Sequence, residues 1–586
     1  MQDTGAGVYF DEFLGNQRSE GTEMQRLLVM ALAAAAAAAG ADDRVAAAAQ
    51  KSVALLQNVA GQWKSPCLSC HHQSMPLLAL EAARARGIAV NEAAAQAAAE
   101  RTFRFLSDVD AAARIEHLID PALSEGYALL GAHAAGVAPN LSTALYARHI
   151  ARAQQAGGNW ATCDARPPHS AGLFVATAVA ARAVGAYLPA AQRPGVLEKA
   201  KRWLLSTAPE ATEDLTYRLL GLQWTGATEG ERSAAARALL TAQRPDGGWA
   251  QLPAMQESDA YSTGQALYAL RQAGGVGAAE AAFQRGIEWL LKTQAGDGSW
   301  HVKSRIQTKA PVSPPYFESG FPYGHDQYLS CAATSWAVMA LSEALPAAKT
   351  PARPLALKGV APAVEPWMTA AAFGTTAEVE KLDPAAATPG GTTALMLAAD
   401  DPAKVRALLA KGAKVRTATK AGYDALMIAS LFGGNTETID VLLRAGASVA
   451  PAQRARFGAH ALAIALFTGD QAMVRLLLEK GADPNRPFRL LGQFSATPLN
   501  VAAQMDQADL IRMLVGGGAK MDVPDDLGMT DLSWAALLHK RDALKALLAL
   551  GAKANVKDKL GLTPAEHTKG IAYSSPETAR LLSAAR

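Results

Sequence analysis

Residues 67–71 read Cys-Leu-Ser-Cys-His, two thiols separated by two residues and followed at once by an imidazole. Such a set can do three things. The thiols of Cys67 and Cys70 can add to the vinyl groups of a haem while His71 ligates its iron, giving a covalently held haem c and a redox or gas-sensing device. The same groups can hold zinc as thiolates and imidazole, or Cys67 and Cys70 can close a plain disulfide. On the haem reading Met75, four residues after His71, shares its helix face and cannot reach the far side of the iron. The sixth position then falls to His169 or His325, or stays open. On the zinc reading, Cys67, Cys70 and His71 or His72 take a fourth ligand from Cys163, His169, His325 or Cys331. His72 points away from His71 and reads as a hydrogen-bonder at the rim.

The chain around this pentapeptide has 586 residues, too many for one core. Its 56 basic and 53 acidic residues leave a net charge of +3, which gives no electrostatic case for nucleic acid. Alanine is abundant and aromatics are 6%, a balance that favours an all-α fold. Four cysteines (Cys67, Cys70, Cys163 and Cys331) are too few for a disulfide framework. Residues 24–41 combine a basic head at Arg26, an uncharged run from Leu27 to Ala39 and an Ala39-Gly40-Ala41 site, the parts of a secretory signal peptide. The run is short and alanine-rich for a membrane span, so none is expected after signal removal. An ordinary alanine-rich helix is the alternative. Residues 1–23 then read as an upstream extension, and the expected location is periplasmic or secreted.

Two repeat patterns set the expected architecture. In the first half Gln and Trp recur six residues apart: Gln57/Trp63, Gln154/Trp160, Gln243/Trp249 and Gln294/Trp300. Each pair brackets a Gly-rich turn between helix-like stretches, where glycine permits φ > 0 and the Gln amide can bond free backbone groups at helix ends. Weaker helix pairs around 101–135 and 199–225 keep the apolar rhythm, which makes about six helical hairpins. The pattern resembles the α/α-toroid family of squalene–hopene cyclases and protein prenyltransferase β subunits, with their Q-x-x-x-G-x-W turns. That resemblance implies an (α/α)6-like toroid over 42–345, with the starts of the inner helices, and so any haem, at the mouth of a central cavity. Covalent haem attachment outside the bacterial cytoplasm, which a haem-protein resemblance implies, agrees with the export signal.

The second half repeats differently. Thr393-Ala-Leu, Asp424-Ala-Leu, His460-Ala-Leu, Thr497-Pro-Leu, Thr530-Asp-Leu and Thr563-Pro-Ala open successive units 31 to 37 residues apart, and Leu-Leu-x-x-Gly-Ala segments close most of them. The opening residue caps a first helix and the glycine ends a second. These units resemble ankyrin repeats, about six over 367–586, and the resemblance implies a protein partner. A Pro-rich linker spans 346–366. His460 and His567 read as structural.

One further position bears on catalysis. Glu257-Ser-Asp259-Ala-Tyr-Ser stands where the cyclases place a D-x-D-D-T-A acid motif, which makes Asp259 the candidate catalytic acid. The last acid of that motif is Ala260 here, so terpene cyclisation is not expected, and Asp259 can equally cap a helix near Ser262. The long Pro- and aromatic-rich insertion 302–323 can cover a cavity or pack against the linker. The reading is an exported haem-c toroid for electron transfer or redox sensing, docked to a protein through ankyrin repeats. The alternatives are a cyclase- or transferase-like enzyme on a hydrophobic substrate and a non-catalytic scaffold.

Overall fold

A computed structural model describes residues 40, 42–60, 70–114, 122–162, 166–169, 172–307, 318–450, 455–490, 494–573 and 576–584. Cys67, Cys163, Trp63 and all but Gly40 of the expected signal segment 24–41 lie outside these residues. The chain is 57% helix and 3% strand, which bears out the all-helical expectation. Among the described residues the one strand pair, Phe488–Leu490 with Phe494–Ala496, is a small antiparallel hairpin in the second half.

The first half is built from α1 (42–60), α2 (Met75–Ala85), α3 (Glu92–Phe103), α4 (Val109–Arg114), α5 (Ser124–Ala134), α6 (Leu141–Arg152), α7 (Leu173–Tyr187), α8 (Arg193–Ser206), α9 (Thr212–Trp224), α10 (Glu229–Thr241), α11 (Ala260–Gln272), α12 (Ala281–Thr293) and α13 (Gln327–Ala344). Side-chain caps start several of them, as Asn140 does by accepting from Thr143 N at 3.1 Å. Helices α2, α5, α7, α9, α11 and α13 pack in a circuit, each on the next and α13 back on α2. Small residues permit the close steps. A Cβ on Gly264 of α11 would lie 2.7 Å from the backbone of Trp336 and Ala337 in α13.

The Gln/Trp turns are one joint used repeatedly. Gln154 Nε2 donates to Gly158 O within its own turn (2.9 Å) and to Val196 O in α8 (3.0 Å). Gln243 does the same with Gly247 O and Ala282 O in α12. Gln294 donates to Gly298 O and, at 2.9 Å, to Ala48 O in α1, so the last of these turns is fastened to the first helix. In each copy the indole N–H donates to a carbonyl ten residues back, Trp160 to Ile150, Trp249 to Leu239 and Trp300 to Leu290, and the tryptophan is buried. The turn glycine must be glycine: Gly247 has φ +93°, and a Cβ there would lie 2.6 Å from Arg285 O.

The second half is a series of short helix pairs, beginning Ala394–Leu397 with Pro402–Ala410 and Ala425–Ala429 with Thr436–Arg444. The opening residues cap as their chemistry requires. Thr393 Oγ1 accepts from Met396 N, Asp424 Oδ1 from Met427 N, and His460 Nδ1 from Ala463 N. His567 Nε2 lies 3.0 Å from Asp558 Oδ2, both buried. Both histidines therefore serve the repeats. The expected linker is strapped along the first half: Ala348 N donates to Ala85 O, and Arg353 O accepts from Arg84.

The repeats also lie against the first half along a row of their helix–helix turns. Arg148 donates to Ala372 O, Leu397 O and Asp400, and its guanidinium sits over Phe373 and Phe432. Gly433 N donates to Arg152 O, Gln155 Nε2 to Thr468 O, and Lys540 Nζ to Thr162 O. At the far end Ile306 forms an antiparallel bridge with Ile571. Asp110 holds the first repeat's hairpin by accepting from Gly390 N and Thr392 N.

Candidate functional site: a thiol–imidazole cluster at the helix starts

Cys70–Ser74 forms a single π-type turn that runs directly into α2, a wide-turn geometry found often at functional sites. It turns His71 and His72 inward, 5% and 1% exposed, while Cys70 stays half-buried. His169, 0% exposed, arrives just ahead of α7. One donor atom each from Cys70, His71 and His169 lie within 4.8 Å of one another. The Cys70 Sγ to His71 Nδ1 distance is 3.3 Å.

The other circuit helices contribute side chains from their first two turns: Tyr127 from α5, Glu213 and Tyr217 from α9, Tyr261 from α11 and Tyr328 from α13. Tyr127 stacks on His169 with centroids 5.2 Å apart and rings inclined at 28°. Its hydroxyl pairs with that of Tyr217 at 2.8 Å. His169 Nδ1 lies 3.2 Å from the Tyr261 hydroxyl, which donates to Glu213 Oε1 at 2.6 Å. Among the described residues His169 Nε2 has no hydrogen-bond partner.

Burial sets the protonation of these groups. It is the largest cause holding His71 well below the ordinary imidazole value and His72 and His169 at about 3, and the Arg166 charge adds to it in all three. They are neutral imidazoles, each with a lone pair to give. Burial also pushes the Glu213 carboxyl up to about 8.

The donor set is that of a borderline or soft divalent cation, two imidazoles and a thiol at tetrahedral reach. Cys67, three residues before Cys70, is the natural further thiolate. A porphyrin fits the described packing less well. His71 is flanked by His72 and Tyr328 at centroid distances of 4.5 and 5.5 Å, side chains that a macrocycle bound to His71 would have to displace.

The expected residues thus separate. Cys70, His71 and His169 come together. His325 does not join them, because its Nε2 lies 3.0 Å from the Ile306 carbonyl. His72 is buried and not at a rim. Cys331 is buried in α13, where burial raises its thiol well above the ordinary value. Asp259 is the N-cap of α11, accepting from Ser262 N at 2.9 Å and from Ser262 Oγ at 3.3 Å, with burial raising its carboxyl to about 6. Sequence reasoning passed over Tyr127, Glu213, Tyr217 and Tyr261. Their signal was positional: Glu213, Tyr261 and Tyr328 are each the second residue of a circuit helix.

The family model for ankyrin repeats in three copies matches residues 367–453 and 395–487. The second half therefore carries ankyrin repeats, and these imply protein partners. Among solved structures, the human ASB11 ankyrin repeat domain is 22% identical, over 38% of this chain and 98% of that one, with a TM-score of 0.33. The ankyrin repeat domain of Bcl-3 is also 22% identical, over the same shares, with a TM-score of 0.31. An ankyrin repeat domain from Acinetobacter baumannii is 27% identical, over 33% of this chain and 96% of that one, with a TM-score of 0.28. No curated protein matches the chain. Among the described residues no helix is long and apolar enough to cross a membrane.

Proposed function

We propose that the first half is an (α/α)6-type toroid holding one divalent metal ion of the zinc class at its centre, and that the ankyrin half brings this unit to a protein partner. The observation that carries the reading is the meeting of Cys70, His71 and His169 from two separate helix starts, with both imidazoles kept neutral. An ion there would supply a fixed positive charge binding the segment before α2 to the segment before α7, and Cys67 would complete the set. The basic head at Arg26, the uncharged run and the Ala39-Gly40-Ala41 site support a periplasmic or secreted location for this unit. Asp259 has its carboxylate engaged in capping α11, which supports a binding role over terpene cyclisation.

Haem c is the second reading. It is favoured by the spacing of Cys67, Cys70 and His71 and by the approach of His169, as a sixth ligand, to His71. It would make the protein an electron-transfer or redox-sensing unit. Full-length protein from a host with cytochrome c maturation machinery separates the two. Metal analysis is expected to return one equivalent of a zinc-class ion, lost in Cys70→Ser. A Soret band that survives denaturing extraction would replace the ion with haem, and a colourless, metal-free protein would remove both.

A further inference from the structure

The hydrogen bonds behind His169 are consistent with one arrangement of its two nitrogens, in which Tyr261 donates to Glu213 and accepts from His169. The Tyr261 hydroxyl has one proton and directs it to Glu213 Oε1 at 2.6 Å. Its oxygen can then only accept from His169 Nδ1, 3.2 Å away. A neutral imidazole that donates from Nδ1 carries its lone pair on Nε2, and among the described residues Nε2 has no hydrogen-bond partner in a residue that is 0% exposed. An unmet buried polar atom costs about 1–3 kcal/mol, a cost removed if the atom is a ligand. Tyr127, stacked on the ring and bonded to the His169 carbonyl oxygen at 3.4 Å, limits its rotation.

We propose that Tyr261 and Glu213 are positioning residues that hold His169 as the Nδ1–H tautomer and so present Nε2 to a divalent cation shared with Cys70 and His71. The arrangement is a carboxylate–tyrosine–histidine relay, one link longer than the carboxylate–histidine pairs that orient metal-bound imidazoles elsewhere. It draws on α9, α11 and the segment before α7, so the second shell is assembled by packing of the circuit and not by one local motif. The inference rests on the metal reading above.

The test uses the full-length chain, stripped of metal and titrated with Co²⁺ against a chromophoric chelator. Circular dichroism and thermal midpoints of the metal-free proteins establish folding. Wild type is expected to bind one equivalent with a thiolate-to-cobalt charge-transfer band. Tyr261→Phe keeps the ring and removes the acceptor for Nδ1, and it should weaken binding about 10- to 100-fold and alter the cobalt d–d spectrum. Glu213→Gln should weaken it in the same direction, and decides alone if Tyr261→Phe does not fold. Wild-type affinity and an unchanged cobalt spectrum in the folded variants would overturn the positioning role and leave the metal site standing. A wild type that binds no cobalt would overturn the metal reading and this inference with it.

Discussion

Replacing Arg148 with alanine should loosen the joint between the two halves. Its side chain is 2% exposed and donates to Ala372 O at 3.2 Å, Leu397 O at 2.9 Å and Asp400 Oδ1 at 3.1 Å. The guanidinium carbon lies 5.2 and 5.0 Å from the ring centroids of Phe373 and Phe432. Burial lowers its basicity and the Asp400 charge opposes that shift, so the pair is held at a desolvation cost that the contacts offset. Truncation leaves two carbonyls without this donor. It also leaves an Asp400 carboxylate, 13% exposed, with Arg152 at 3.7 Å and the charge of Lys404 nearby. Breaking one side of a buried pair costs about 3–5 kcal/mol, and for a unit of the ankyrin half's size that is roughly 6–20 °C in melting midpoint. Calorimetry of the full chain should show the ankyrin half melting earlier, as a transition separated from the first half. Arg148→Met combined with Asp400→Leu should recover much of the loss, because it removes both charges and keeps volume. A shift below about 2 °C in Arg148→Ala would refute the view of this contact as a principal clamp.

Two further outcomes follow from the same geometry. Gln294→Ala removes donors to Gly298 O and to Ala48 O and Ser52 of α1; it should cost about 1–3 kcal/mol and speed amide exchange in 42–60, and unchanged protection there would count against the joint. Glu213 has its folded-state carboxyl raised to about 8, first by burial and also by Asp214, against the lowering effects of the Tyr261 hydrogen bond and of Arg305. A raised acid contributes stability that is present below its unfolded value and lost as pH rises through the folded one. His72 and His169, at about 3, act oppositely, losing stability as pH falls below the ordinary imidazole range. Urea midpoints of wild type and Glu213→Gln should therefore diverge between about pH 5 and 8, with wild type declining more steeply; parallel curves would refute the assignment.

The repeats were legible because each is a local device. A Gln, a glycine and a Trp within seven residues suffice to write the joint at Gln154, Gln243 and Gln294, and a capping residue ahead of Ala-Leu suffices to open an ankyrin helix. His460 could be read as a cap in place of threonine for the same reason. The segment 346–366 read as a linker from its prolines, yet a backbone bond from Ala348 N to Ala85 O and the Arg84 side chain on Arg353 O hold it against α2, and nothing within the segment announces them. Cys70 and His71 were visible as neighbours in sequence. His169 was visible only as one of several possible partners, and His325 had an equal claim until the Ile306 carbonyl was seen to take it.

Residue types and short spacings were enough for the helical class, the turns, the ankyrin units and the pairing of Cys70 with His71, because each depends on interactions within about ten residues. Closure of the helix circuit decided the rest. It alone brings the starts of α2, α7, α9 and α11 together, sets His169 and not His325 beside Cys70 and His71, and places Tyr261 and Glu213 behind it. It also sets the Arg148 face against the ankyrin turns. Such contacts join residues tens to hundreds apart, and their partners are selected by which helices pack side by side, a property of the folded whole that no local pattern contains.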